Sequence, residues 1–111
     1  MIARRWSARA TRENATRYAH YFRQTLTPHL RELPGYRGAK LLEREDDSRA
    51  IEIVVFTWWA SLSAIRAFAG DDLTIAVISD EARALLLDAD ARVAHYDVAF
   101  ADDVASAPAV D

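Results

Sequence analysis

The stretch from Ile51 to Gly70 constrains the fold more than any other part of the chain. Ile53-Val54-Val55-Phe56 is an apolar run rich in β-branched residues, the pattern of a strand covered on both faces. Trp58 and Trp59 close that strand. Ser61 then supplies an N-cap, Leu62, Ile65 and Phe68 recur at helical spacing, and Gly70 supplies the C-terminal stop. A strand from Ile51 to Trp58 therefore runs directly into a short helix, with two large rings at the junction. Alternation points those rings to opposite faces.

The remaining elements follow from periodicity. Ile2 to Arg9 alternates as a strand, with Ile2, Arg4, Trp6 and Ala8 on one face and Ala3, Arg5, Ser7 and Arg9 on the other. Thr11 caps a long helix whose apolar stripe is Ala15, Tyr18, Ala19, Phe22, Leu26, Leu30 and Leu33. Pro28 is expected to kink that helix, because it lacks an amide donor and crowds the preceding turn; Pro34-Gly35 ends it. Tyr36 to Glu45 reads as the second strand, with Tyr36, Lys40, Leu42 and Arg44 on one side and Ala39, Leu41 and Glu43 on the other. Asp46-Asp47-Ser48 reads as a hairpin turn. Ser79 to Leu86 reads as another short helix, and Arg92 to Phe100 as the last strand. The order strand, helix, strand, strand, helices, strand is a split βαβ arrangement. The expected fold is α+β and ferredoxin-like, a four-stranded antiparallel sheet with helices on one face. One domain is expected over residues 1–100, followed by an acidic, alanine-rich tail at 101–111 that is expected to be disordered. Helices on one face leave the other face of the third strand open, and a second copy of the chain is the simplest cover.

Composition narrows the chemistry. The 111 residues include no cysteine, which removes disulfides, thiolate metal sites and cysteine nucleophiles. The amino terminus does not read as a signal peptide, and no apolar run approaches the length of a membrane span, so a cytoplasmic protein without membrane contact is expected. Residues 1–49 carry 11 basic and 6 acidic side chains, whereas residues 50–111 carry 3 and 11. The first half could be a nucleic-acid patch, but its arginines are interspersed with acids and aromatics, and no nucleic-acid partner is expected. The three histidines lack metal-ligand spacing, and no metal is expected.

In their order and spacing, Leu33-Pro34-Gly35-Tyr36-Arg37-Gly38, Phe56-Thr57-Trp58-Trp59 with Ser61-Leu62 and Ala64-Ile65, Phe68-Ala69-Gly70, Ala76-Val77, Glu81-Ala82, Leu85-Leu86 and Val93-Ala94-His95-Tyr96-Asp97-Val98 resemble the antibiotic biosynthesis monooxygenase family. The resemblance implies a homodimeric α+β barrel. Activities in that family are diverse: some members oxidise quinol or anthrone substrates with oxygen and no added cofactor, others degrade heme, and many have no assigned role.

The resemblance aligns Trp59 with a strand-end tryptophan that lines the pocket in several members. Trp59 reads equally as a core ring closing helix against sheet, and a packed ring can also be a pocket wall. Trp58 reads as packing or dimer surface. His95 is the candidate for proton transfer, since an imidazole titrates near neutral pH; a structural histidine between strands is the competing reading. Trp6, Tyr18, Phe22, Tyr36 and Phe68 are candidate substrate walls or simply core, and Arg5 a candidate holder of a carboxylate or phenolate. The heme-degrading branch carries a strand-one asparagine and a histidine after the tryptophan. Both are missing here, so no cofactor is expected and heme is disfavoured, although His95 could in principle be a ligand. Two functions remain open: oxidation of a small aromatic molecule, or a non-catalytic dimeric domain for small-molecule binding or stress response.

Overall fold

The computed structural model describes residues 1–104. Strand β1 (Ile2–Ala10) lies at the centre and pairs antiparallel with β3 (Ile51–Trp59) along its full length, from Ile2 opposite Trp59 to Ala10 opposite Ile51. The outer neighbour of β3 is β2 (Tyr36–Glu45), its hairpin partner. On the other side of β1 the edge is shared by β4 (Asp88–Ala89) and β5 (Ala94–Asp97). The sheet thus has five strands rather than the four expected: the last strand, expected over Arg92 to Phe100, is shortened to Ala94–Asp97, and the two-residue β4 precedes it. Between β4 and β5 the chain bonds instead to the segment after α3, through Ala76 N–H to Ala91 O and Val93 N–H to Thr74 O. Residues 101–104 belong to no strand or helix and are exposed; the rest of the expected tail lies outside the described residues.

The helices α1 (Arg12–Tyr21), α2 (Thr27–Leu30), α3 (Leu62–Ala69) and α4 (Asp80–Arg83) are capped where polar residues occur for that purpose. Thr11, Ser61 and Ser79 accept from the amides of Asn14, Ala64 and Ala82. Between α1 and α2 the chain forms a π turn over Phe22–Leu26, in which Thr27 N–H reaches Phe22 O. Pro28 sits in the first turn of α2, where its missing donor matters least. The expected disruption therefore takes the form of a widened turn immediately before the proline. Tyr18, Phe22 and Leu30 are buried and Leu26 half-buried, at intervals of four residues. A regular helix drifts about 40° every four residues, and the wider turn takes up part of that drift.

Two cores lie between helices and sheet. One gathers Trp6, Ala8, Tyr18, Phe22, Ile53 and Val55; the other gathers Ile2, Leu30, Trp59 and Ile65. Along β3 burial alternates. Ile51, Ile53, Val55, Thr57 and Trp59 face the helices and are buried, whereas Val54, Phe56 and Trp58 on the open face are half-buried. Both-sided cover is therefore not met within one chain. Phe56 and Trp58 stack on that open face at 5.9 Å, and Leu42 beside them is 48% exposed.

Two backbone irregularities shape β2. A bulge between Tyr36 and Gly38 turns Tyr36 onto the helix face with Ala39 and Leu41, not onto the face of Lys40 and Leu42 as strict alternation implies. Just before it, Gly35 has φ +87°, and a Cβ there would lie 2.5 Å from Ala64 Cβ. Glycine is required on both counts, and it lets α3 close on the start of β2. The hairpin after β2 is pinned by Asp46, which accepts from Ser48 and Ala50 amides and from Arg9 Nε. The Ser48 hydroxyl and Arg9 hold its carboxyl at about 2. Among the described residues no helix is long and apolar enough to cross a membrane.

Candidate functional site

Under the centre of the sheet is a small cavity of about 50 Å³. Arg4 and Trp6 from β1, Tyr18 and Tyr21 from α1, Thr57 from β3 and Phe68 from α3 supply its principal walls. Val77, Ile78 and Ser79, which belong to no strand or helix, form its outer side. The walls are tied together. Tyr18 lies 6.0 Å from the Trp6 ring and 5.8 Å from Tyr21. Trp6 Nε1 donates to Asp90 O, and the Tyr21 and Ser79 hydroxyls share a hydrogen bond of 2.9 Å.

Arg4 is the unusual residue. It is 4% exposed, and among the described residues no carboxylate pairs with it. Its guanidinium donates to the carbonyls of Leu73 (2.5 Å) and Ile75 (2.9 Å), contacts His95 Nε2 at 2.9 Å and lies 5.8 Å from the Phe68 ring centre. Burial lowers its pKa to about 10, so it stays a cation at neutral pH. A guanidinium only donates, so His95 Nε2 accepts and the imidazole carries its proton on Nδ1. Burial, and then the charge of Arg4, lower the His95 pKa, and both favour this neutral form. Burial raises the Tyr18 pKa, so that hydroxyl remains protonated. The cavity thus offers one cation without a counter-ion and, behind it, a neutral imidazole.

Of the residues singled out in the sequence, the structure brings Trp6, Tyr18 and Phe68 to this cavity and joins His95 to it through Arg4. Trp59 is fully buried and backs the wall: its ring stacks on Phe68 at 6.0 Å, and its Nε1 donates to Thr57 Oγ1 at 2.8 Å. Arg5 stands on the opposite, open face of β1, away from the cavity, and Arg4 is the arginine that lines it. The signal was present, since Arg4 shares its strand face with Trp6. Phe22 and Tyr36 line a different depression. That groove, of about 920 Å³, runs between the outer side of the α1–α2 helix and β2 and opens to solvent. Tyr36 stands edge-on to Trp59 at 5.4 Å, so Trp59 separates cavity from groove.

His95 Nε2 is engaged by Arg4, and the cavity is smaller than the roughly 300 Å³ at which ligand pockets begin. Among the described residues no three metal-ligating side chains cluster.

No family model matches the chain, and comparison with curated proteins returned no match. Solved structures do match. A protein described as "putative antibiotic biosynthesis monooxygenase" from Bacillus cereus aligns over 93% of this chain and 97% of its own, with a TM-score of 0.63 and 16% identity. Another so described, from Deinococcus radiodurans, aligns over 96% and 100%, with a TM-score of 0.50 and 19% identity. At such identities the likeness speaks to architecture: this chain has the ferredoxin-like α+β fold of proteins given that description.

Proposed function

We propose that the chain oxidises a small, ionisable aromatic molecule with molecular oxygen, in the cavity beneath β1. The observation that carries this reading is the buried Arg4 without a counter-ion, set at an aromatic wall and in contact with neutral His95. A phenol, quinol or anthrone becomes reactive toward oxygen once it is deprotonated. Arg4 would hold the resulting oxyanion in a site of low dielectric, where one cation has a large effect. His95 would take the proton on Nε2 as Arg4 turns from the imidazole to the oxyanion. Trp6, Tyr18 and Phe68 would hold the ring, with Trp59 fixing Phe68 from behind.

For an anthrone-type CH2 group the balance closes without a cofactor. The substrate CH2 becomes C=O, one oxygen atom enters the product, and the other leaves as water with the two hydrogens. All four electrons come from the substrate. A ring larger than the cavity would enter by displacing Val77–Ser79 outward. The open face of β3, with Phe56 and Trp58, would be covered by a second copy of the chain.

Oxygen consumption with a panel of anthrones, quinols and phenols tests this reading. Uptake that requires the protein and is lost in Arg4→Gln and His95→Ala supports it. The small volume of the cavity favours a second reading, a non-catalytic dimeric binding domain. Ring compounds that bind without any oxygen uptake would establish that one instead. A stable monomer at micromolar concentration by light scattering would remove the dimer.

A further inference from the structure

The groove beside β2 has a composition at odds with the whole molecule. The chain carries a formal net charge of -3, yet Arg23, Arg31, Arg37 and His20 line the groove and no acidic residue does. Among the described residues six arginines form ion pairs (Arg9, Arg12, Arg17, Arg44, Arg66 and Arg92) and seven do not; three of those seven, Arg23, Arg31 and Arg37, are gathered at this groove. A neighbouring depression nearer the hairpin shares Thr16 with the groove, and there Arg12 is paired with Glu45. That depression is charge-compensated, whereas the cationic end, the groove itself, has no acidic lining residue.

Both backbone irregularities converge on the cationic end. The π turn carries Phe22 and Arg23, and Thr27 closes it. The β-bulge at Tyr36–Gly38 turns Tyr36 inward and carries Arg37. π turns and bulges replace regular hydrogen bonding at some cost and are over-represented at functional sites. Between the arginines the floor is apolar and partly aromatic, formed by Phe22, Tyr36, Ala39 and Leu41. The volume, about 920 Å³, lies within the range of ligand pockets.

We infer that this groove binds a small aromatic oxyanion, its ring against Phe22 and Tyr36 and its carboxylate or phosphate held by Arg23, Arg31 and Arg37. A guanidinium fork matches either oxyanion in two-point geometry, and a flat ring satisfies the floor between the cations. The site is separate from the cavity beneath β1, with Trp59 and Tyr36 between them, and it stands whether or not that cavity is catalytic.

Calorimetric titration of the full chain with 1-naphthyl phosphate, 1-naphthoate, 1-naphthol and inorganic phosphate tests the inference, the first two distinguishing phosphate from carboxylate. At least one aryl anion is expected to saturate below about 1 mM, and naphthol and inorganic phosphate to bind more weakly. Affinity is expected to fall roughly tenfold for each of Arg23→Gln and Arg31→Gln. His20→Glu places an acid in the groove and should weaken binding as well. No saturation by either aryl anion, or equal affinity in Arg23→Gln/Arg31→Gln, overturns the inference. So does tighter binding of a single-stranded oligonucleotide than of naphthyl phosphate, or a change of oligomeric state in the double variant, either of which would give the arginines another occupant.

Discussion

The cavity beneath β1 and the groove beside β2 use the same side chain in opposite ways. In the cavity one arginine is buried, and its donors reach two carbonyls and an imidazole. In the groove three arginines stand exposed and without an ionic partner. Arg4 is consequently part of the folded structure, and changing it disturbs the carbonyls that it satisfies. The side chains of Arg23, Arg31 and Arg37 make no hydrogen bond or ion pair among the described residues, so changing them should leave the fold intact. Substitutions should separate the two roles.

The largest effect is expected at the partition itself. Trp59→Ala removes a fully buried ring that packs on Phe68 on one side and Tyr36 on the other, and should cost about 4 kcal/mol in urea unfolding. A loss below about 1 kcal/mol would mean that the two depressions are not separated by a rigid wall. Arg4→Met should cost about 2 kcal/mol, because it strips hydrogen bonds from Leu73 O and Ile75 O. Arg23→Gln, by contrast, should stay within about 0.5 kcal/mol of the parent. If the two arginine variants melted alike, the contrast would fail.

A finer test uses pH. The His95 pKa is lowered in the fold, so its contribution to stability is complete above the ordinary value near 6.5 and declines as pH falls through that value toward the folded one. If His95 is the proton acceptor, the acid limb of kcat/KM should also lie below pH 6.5, where the imidazole becomes protonated. In Arg4→Gln the His95 pKa itself, followed by NMR titration of the imidazole, should move upward, since the Arg4 charge is one of the two causes of the shift. An unchanged pKa would leave burial alone as the cause.

Most of the architecture was legible because it rests on local patterns. The nine-residue alternation of β1, the caps at Thr11, Ser61 and Ser79, and the strand-to-helix junction at Trp59–Ser61 are each written within one segment. Long-range pairing is harder to read. The last strand starts late because Ala91 and Val93 bond to Ala76 and Thr74, and nothing within Arg92 to Phe100 signals that partner. Tyr36 changed faces because a bulge adds one residue to the count. The lining of the cavity is legible in part. Trp6, Tyr18 and Phe68 follow from strand and helix faces, and the alternation of β1 puts Arg4, not Arg5, on the face of Trp6. The groove is not legible, because its arginines come from a helix and a strand that meet only in three dimensions.

The π turn has a consequence for insertion and deletion. Ala19, Arg23, Thr27 and Arg31 are spaced at four residues, as are Tyr18, Phe22, Leu26 and Leu30. One row faces the groove and the other faces the core. A π turn holds one residue more than the α turn it replaces, so removing a single residue such as Thr25 would let the segment wind as ordinary α-helix and leave Leu30 and Arg31 close to their present faces. Inserting a residue there would instead turn everything after it by about 100°, taking Leu30 out of the core and Arg31 out of the groove in the same step. The chain between Phe22 and Leu26 therefore tolerates the loss of a residue better than the gain of one.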